Sequence, residues 1–179
     1  MKFNKLALAL ALSAPMFAAQ ATEAPAQALL QWTGFVGGSF DSSTIGLTGQ
    51  GGGDITPATI TIQADGTFSS DRAIVVEAHQ IDPKTKEVKT DLFGDGVDWN
   101  LSAVNINHPA YDSSKLAFTA NGKDFVPGTV FSTNSAISPI VGIAVAAETS
   151  AVISPDLLKA GDAVQVSATI LAEPVLKPR

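Results

Sequence analysis

Beyond residue 21, apolar and polar residues alternate in short runs, broken by turn formers about every ten positions. The runs are rich in Val, Ile, Thr, Ser and Ala. Period-two alternation of this kind predicts half-buried strands, and many short strands predict an all-β sandwich. Strands are expected over 28–36, 58–63, 67–69, 73–80, 97–106, 115–120, 124–131, 140–147 and 163–172. Asp65-Gly66 and Asn121-Gly122 both suit the type I′ hairpin turn, which needs positive φ at two successive residues. The last run is the cleanest: Val164, Val166, Ala168, Ile170 and Ala172 share one face, and Gln165, Ser167, Thr169 and Leu171 the other. Pro174 and Pro178 are expected to stop that ladder. Residues 46–54 (GLTGQGGGD) have no periodicity and read as a mobile loop. Helix signals support a single turn at Ser154-Pro155, closed by Gly161.

The first 21 residues break the pattern. Lys2 and Lys5 precede an apolar run from Leu6 to Phe17, and Ala19-Gln20-Ala21 follows. This is the layout of a secretory signal peptide cut after Ala21. Cleavage leaves 158 of the 179 residues, enough for one domain with a real core. The apolar run is too short to span a bilayer. Losing Lys2 and Lys5 takes 11 basic residues to 9 against 17 acidic ones, a net charge of −8. An acidic surface disfavours nucleic acid and anionic lipid as partners. The basic trio Lys84, Lys86 and Lys89 is interleaved with acids and reads as a solvated turn. An exported chain without cysteine relies on its core or on partners for stability.

Candidate chemistry is sparse. His79 and His108 stand in no metal-binding motif and read as ordinary surface or strand-end residues. Gly-x-Ser-x-Gly is absent, so no serine hydrolase elbow is expected. Glu77, Asp91, Asp95, Asp98 and Glu148 are carboxylates that nothing in the sequence pairs for glycoside hydrolysis. Residues 91–100 (DLFGDGVDWN) resemble a calcium loop only faintly, because the EF-hand order and its closing Glu are missing. The 46–54 glycines lack the Lys-Ser/Thr and the helix of a phosphate loop. Trp32 and Trp99 are expected in the core. No enzyme activity, cofactor or metal site is expected.

The two ends of the exported chain carry a resemblance. Trp32-Thr33-Gly34-Phe35-Val36 resembles the aromatic-x-Gly-x-Val motif in the first strand of chaperone–usher pilins. Lys159-Ala160-Gly161-Asp162 is similar to the Ala-Gly-Asp/Asn turn before the last pilin strand. The absence of cysteine and the Ser/Thr-rich middle look closest to major subunits of the coli surface antigen five type. The chain departs from many pilins in lacking a disulfide and in carrying residues 173–179 behind the last strand.

The resemblance implies an incomplete immunoglobulin-like β-sandwich, the pilin fold, completed by a donor strand from a neighbouring subunit. It divides the chain into a signal peptide (1–21), a donor-strand extension (22–31) and the sandwich (32–179). Ala24, Ala26, Ala28, Leu30 and Trp32 would point inward from the donor strand, and Trp32, Gly34 and Val36 would form the first-strand motif. Val164, Val166, Ala168 and Ile170 would edge the acceptor groove. The implied function is a structural subunit of a surface fimbria with a role in adhesion. The implied partners are other copies of the chain in a head-to-tail homopolymer, a periplasmic chaperone, an outer-membrane usher and a host receptor. The alternative is a monomeric secreted binding module for carbohydrate or calcium, using the 46–54 or 91–100 loop.

Overall fold

A computed structural model of the chain describes residues 44–134 and 138–175. These form two antiparallel sheets over one shared core. The strands are β1 (Ile45–Thr48), β2 (Ile60–Ile62), β3 (Phe68–Ser70), β4 (Ile74–Ile81), β5 (Val88–Leu92), β6 (Val97–Ile106), β7 (Ala117–Ala120), β8 (Lys123–Asp124), β9 (Val130–Thr133), β10 (Ile140–Ala147) and β11 (Val166–Pro174). The larger sheet runs β1-β4-β10-β3-β2, with β5 beside β4 and the β7–β8 hairpin beside β10. The smaller runs β11-β6-β9. After β5 the chain passes back and forth between the sheets: β6 in the smaller, β7 and β8 in the larger, β9 in the smaller, β10 in the larger, β11 in the smaller.

The core lies between the sheets. Val76 and Ala78 of β4, Phe118 and Ala120 of β7 and Val141 of β10 meet Val97, Trp99 and Leu101 of β6. Apolar alternation explains why β6 forms. Its one irregularity explains its length. Val97, Trp99 and Leu101 face inward, then the pairing with β11 slips between Thr169 and Ile170. One extra residue enters β6 there, so the inward row resumes at Val104 and Ile106. The extra Ser102 donates its hydroxyl to the carbonyl of Thr169 (3.1 Å). Trp99 is fully buried, and its indole N–H donates to Thr133 Oγ1 (3.1 Å).

The turns partly differ from expectation. Asn121 (φ 50°) and Gly122 (φ 77°) form the expected type I′ turn between β7 and β8. The Asn121 side chain also accepts from Gly142 N–H (2.7 Å) and donates to the carbonyl of Ile140 (3.1 Å). Asp65-Gly66 is not a two-residue turn. Gln63 N–H bonds Thr67 O across a three-residue loop, and only Gly66 has positive φ (85°). A Cβ there would come within 2.9 Å of Val152. The 46–54 run is not wholly a loop either: its first residues belong to β1, which pairs with Glu77–Gln80 of β4. The polar stretch after Lys86 contributes β5. The single expected helical turn is a short 3-10 turn, Pro155–Leu157.

Candidate functional site: the open edge of the last strand

Strand β11 pairs with β6 on one side, and among the described residues no strand pairs with its other side. Residue by residue, Val166 faces Ile106, Ala168 faces Val104, Ile170 faces Leu101, Ala172 faces Trp99 and Pro174 faces Val97. Of the expected groove residues, Val164, Val166 and Ile170 pack against the core but remain half-buried, and Ala168 is exposed. Val164 lies before the strand. The lead-in is clamped by Asn107, whose N–H donates to Gln165 O (3.1 Å) and whose Oδ1 accepts from Gln165 N–H (2.7 Å).

The direction of the free main-chain groups follows from these bonds. Gln165 O and Val175 N both point to the β6 side, the latter donating to Gly96 O (2.9 Å). Main-chain groups alternate sides along a strand. The N–H and C=O groups of Val166, Ala168, Ile170 and Ala172 therefore face the open edge. The ladder with β6 ends at Pro174, as expected, with Pro174 itself the last residue of β11. Its nitrogen falls on the open side, where a missing N–H breaks no bond within the sheet. β1, at the edge of the larger sheet, approaches β11, so the open edge lies between the two. Ile45 of β1 is buried in the same core.

The other end of β11's lead-in is held by His108. Its Nδ1 accepts from Ala110 N–H (3.2 Å), which leaves Nε2 to donate to Asp162 Oδ2 (3.4 Å). Asp162 also accepts from Lys159 N–H (2.7 Å), and that bond chiefly holds its carboxyl below the usual range, with His108 adding to it. The expectation for His79 is corrected. It is 2% exposed and lies 3.1 Å from the buried Glu77 carboxylate. Glu77 Oε2 also accepts from Gly52 N–H (3.3 Å), so the glycine run folds over the two side chains. Burial pushes the Glu77 carboxyl up, but bonds from Gly51 and Gly52 and from His79 outweigh it and hold the carboxyl below its ordinary value. His79 Nδ1 is buried without a partner among the described residues.

Residues 91–100 form no loop of converging carboxylates. They divide between the end of β5, a turn and the start of β6, where Asp98 accepts from Ser132 Oγ (2.5 Å). Among the described residues no group of three His, Cys, Asp or Glu is placed to hold a metal ion. The donor-strand candidates Ala24, Ala26, Ala28, Leu30 and Trp32, with Gly34 and Val36, lie outside the described residues. No helix among the described residues is long and apolar enough to cross a membrane.

The described residues together define two antiparallel sheets over one core, with β11 and β9 each paired on one side only among the described residues. No family model matches the chain and no curated protein matches it.

Proposed function

We propose that the chain is a structural subunit of a surface fimbria, exported to the periplasm, folded with a chaperone, assembled at an outer-membrane usher and joined by donor-strand exchange. In this reading the sandwich is an immunoglobulin-like pilin domain lacking its final strand, and the fibre has a role in adhesion. The observation that carries it is the edge of β11: among the described residues no strand takes up its outward main-chain groups, which lie over half-buried Val166, Ile170 and Ala172. An edge of that kind invites another strand. Strand addition supplies main-chain bonds for affinity and alternating side chains for specificity. The alternation of the later strands between two antiparallel sheets, as in a β-sandwich, is compatible with the reading. The donor row Ala24, Ala26, Ala28 and Leu30 is made of small side chains, suited to a shallow groove. A contact in which one copy's extension fills the next copy's groove does not close on itself, and so it builds a fibre.

Self-complementation tests this. Residues 22–179 are compared with a version in which residues 22–36 follow Arg179 through a flexible linker. The proposal expects the rearranged chain to be a monomer of much higher thermal stability and the native order to polymerise or aggregate. A stable monomer in the native order, ruined by the rearrangement, would make 28–36 a strand of its own domain and leave the monomeric binding module.

A further inference from the structure

Asn121 does more than turn the β7–β8 hairpin. β7 stops pairing with β10 at Ala120, opposite Ile143. From there Asn121 carries the ladder onward alone. Its N–H donates to Gly142 O (2.9 Å), and its Oδ1 accepts from Gly142 N–H (2.7 Å). Its Nδ2 donates to the carbonyl of Ile140 (3.1 Å). An N–H meets the oxygen of a carboxamide and a C=O its nitrogen, so the two partners fix which way the amide points. Asn121 is exposed, so these bonds to β10, and not burial, restrain its side chain.

Asn121-Gly122 is the single Asn-Gly pair in the sequence. In a free chain such a pair is chemically labile. The main-chain nitrogen of Gly122 attacks Cγ of Asn121, a C–N bond forms, and the side-chain nitrogen leaves as ammonia. Water then opens the cyclic imide at either carbonyl and gives aspartate or isoaspartate; nothing is oxidised or reduced. Glycine has no Cβ to hinder the attack, and around Gly122 there is open space. In the folded chain the carboxamide must first give up both of its bonds to β10 before Cγ can swing onto the Gly122 nitrogen.

We infer that Asn121 is a deamidation site that β10 holds dormant: it reacts in the unfolded chain and is protected once β10 docks. β10 follows the hairpin in the chain, so Asn121 is made before the strand that protects it. The change is one-way. Aspartate tolerates the positive φ of this position (50°), so the turn survives. But a carboxylate oxygen then faces the Ile140 carbonyl where an N–H had donated, and the two acceptors repel. Isoaspartate also lengthens the backbone within the turn. A chain that has reacted docks its hairpin on β10 less firmly, and the residue becomes a lasting mark of time spent unfolded.

The test holds the full chain in mildly alkaline buffer, folded and in urea, beside a free peptide of residues 116–125. Trypsin cuts after Lys115 and Lys123, so the fragment 116–123 carries the site alone. Mass spectrometry reads loss of the amide, and isoaspartyl methyltransferase reads isoaspartate. The expected result is reaction at similar rates in urea and in the peptide. In the folded chain it should be slower by more than about tenfold, since two hydrogen bonds must open first. Asn121→Asp, which makes the product directly, should melt below the unsubstituted chain. A folded chain that deamidates as fast as the peptide, or an unfolded chain that does not react, overturns the protected site. An Asn121→Asp chain that melts as high as the unsubstituted one overturns the clamp.

Discussion

Strands β6 and β11 lie side by side in one sheet and turn the same kind of side chain toward the same core. Val97, Trp99 and Leu101 of β6 are completely buried, whereas Val166, Ile170 and Ala172 of β11 are only partly so. The difference is not in the side chains. Among the described residues β6 has a neighbour on each side, and β11 has one. Burial in a sandwich is thus a property of the strand's position as much as of its pattern. A strand with an inward apolar row and an open edge is a site by default, because water is a poor final occupant.

The comparison is most severely tested by Trp99→Ala. It removes a fully buried ring and the bond to Thr133, and it should cost about 3–5 kcal/mol in chemical denaturation. The cost should be the same with or without a donor strand, because β6 is already covered. Ile170→Ala should behave differently. In the uncompleted domain it should cost about 1 kcal/mol, and in the self-complemented chain about 2–4 kcal/mol, as the methyl groups become fully enclosed. Equal costs in the two backgrounds would break the comparison.

Glu77 offers a third case, a polar pair on β4 covered by a glycine loop rather than by a strand. Glu77→Gln should destabilise by about 1–3 kcal/mol at neutral pH, since the part-buried N–H of Gly52 and the buried ring of His79 lose a charged partner. The sign of the pH effect follows from the lowered folded value. The stabilisation is present in full above the ordinary carboxylate range and is lost as pH falls through the folded value. Thermal melts between neutral and acid pH should show a loss that the Gln variant lacks. The smallest effect belongs to Lys115→Ala, which removes a largely exposed pair with Asp112 (3.8 Å) and should shift stability by less than about 0.5 kcal/mol.

Alternation in the sequence predicts β6 and β10 with the bounds they have, because both are interior strands whose side chains carry the signal. It misses β1 and β5, which lie at sheet edges or pair over a few residues. Ile45–Thr48 is half hidden in a glycine run, and Val88–Leu92 is mostly exposed, so main-chain bonds to β4 define them and no apolar period announces them. The expected 124–131 strand divides into β8 and β9 at Pro127-Gly128, where Gly128 has positive φ (81°). The groove row Val164, Val166, Ala168 and Ile170 is legible as one face. That its edge is open is not, because pairing is decided by strands distant in sequence. The buried Glu77–His79 pair was also hidden: two polar residues at alternate positions read as a solvent face until a loop is known to cover them.

Pro174 has a consequence for any strand that lies along β11. An incoming backbone finds donors at Val166, Ala168, Ile170 and Ala172, and then none. One end of the seam therefore has a stop that cannot slide, and register can be counted from it as on a ruler. A strand shifted by a pair past Pro174 forfeits a bond for each step, while one in place uses every donor there is. The ring that ends the chain's own ladder also sets a limit for any strand laid beside it.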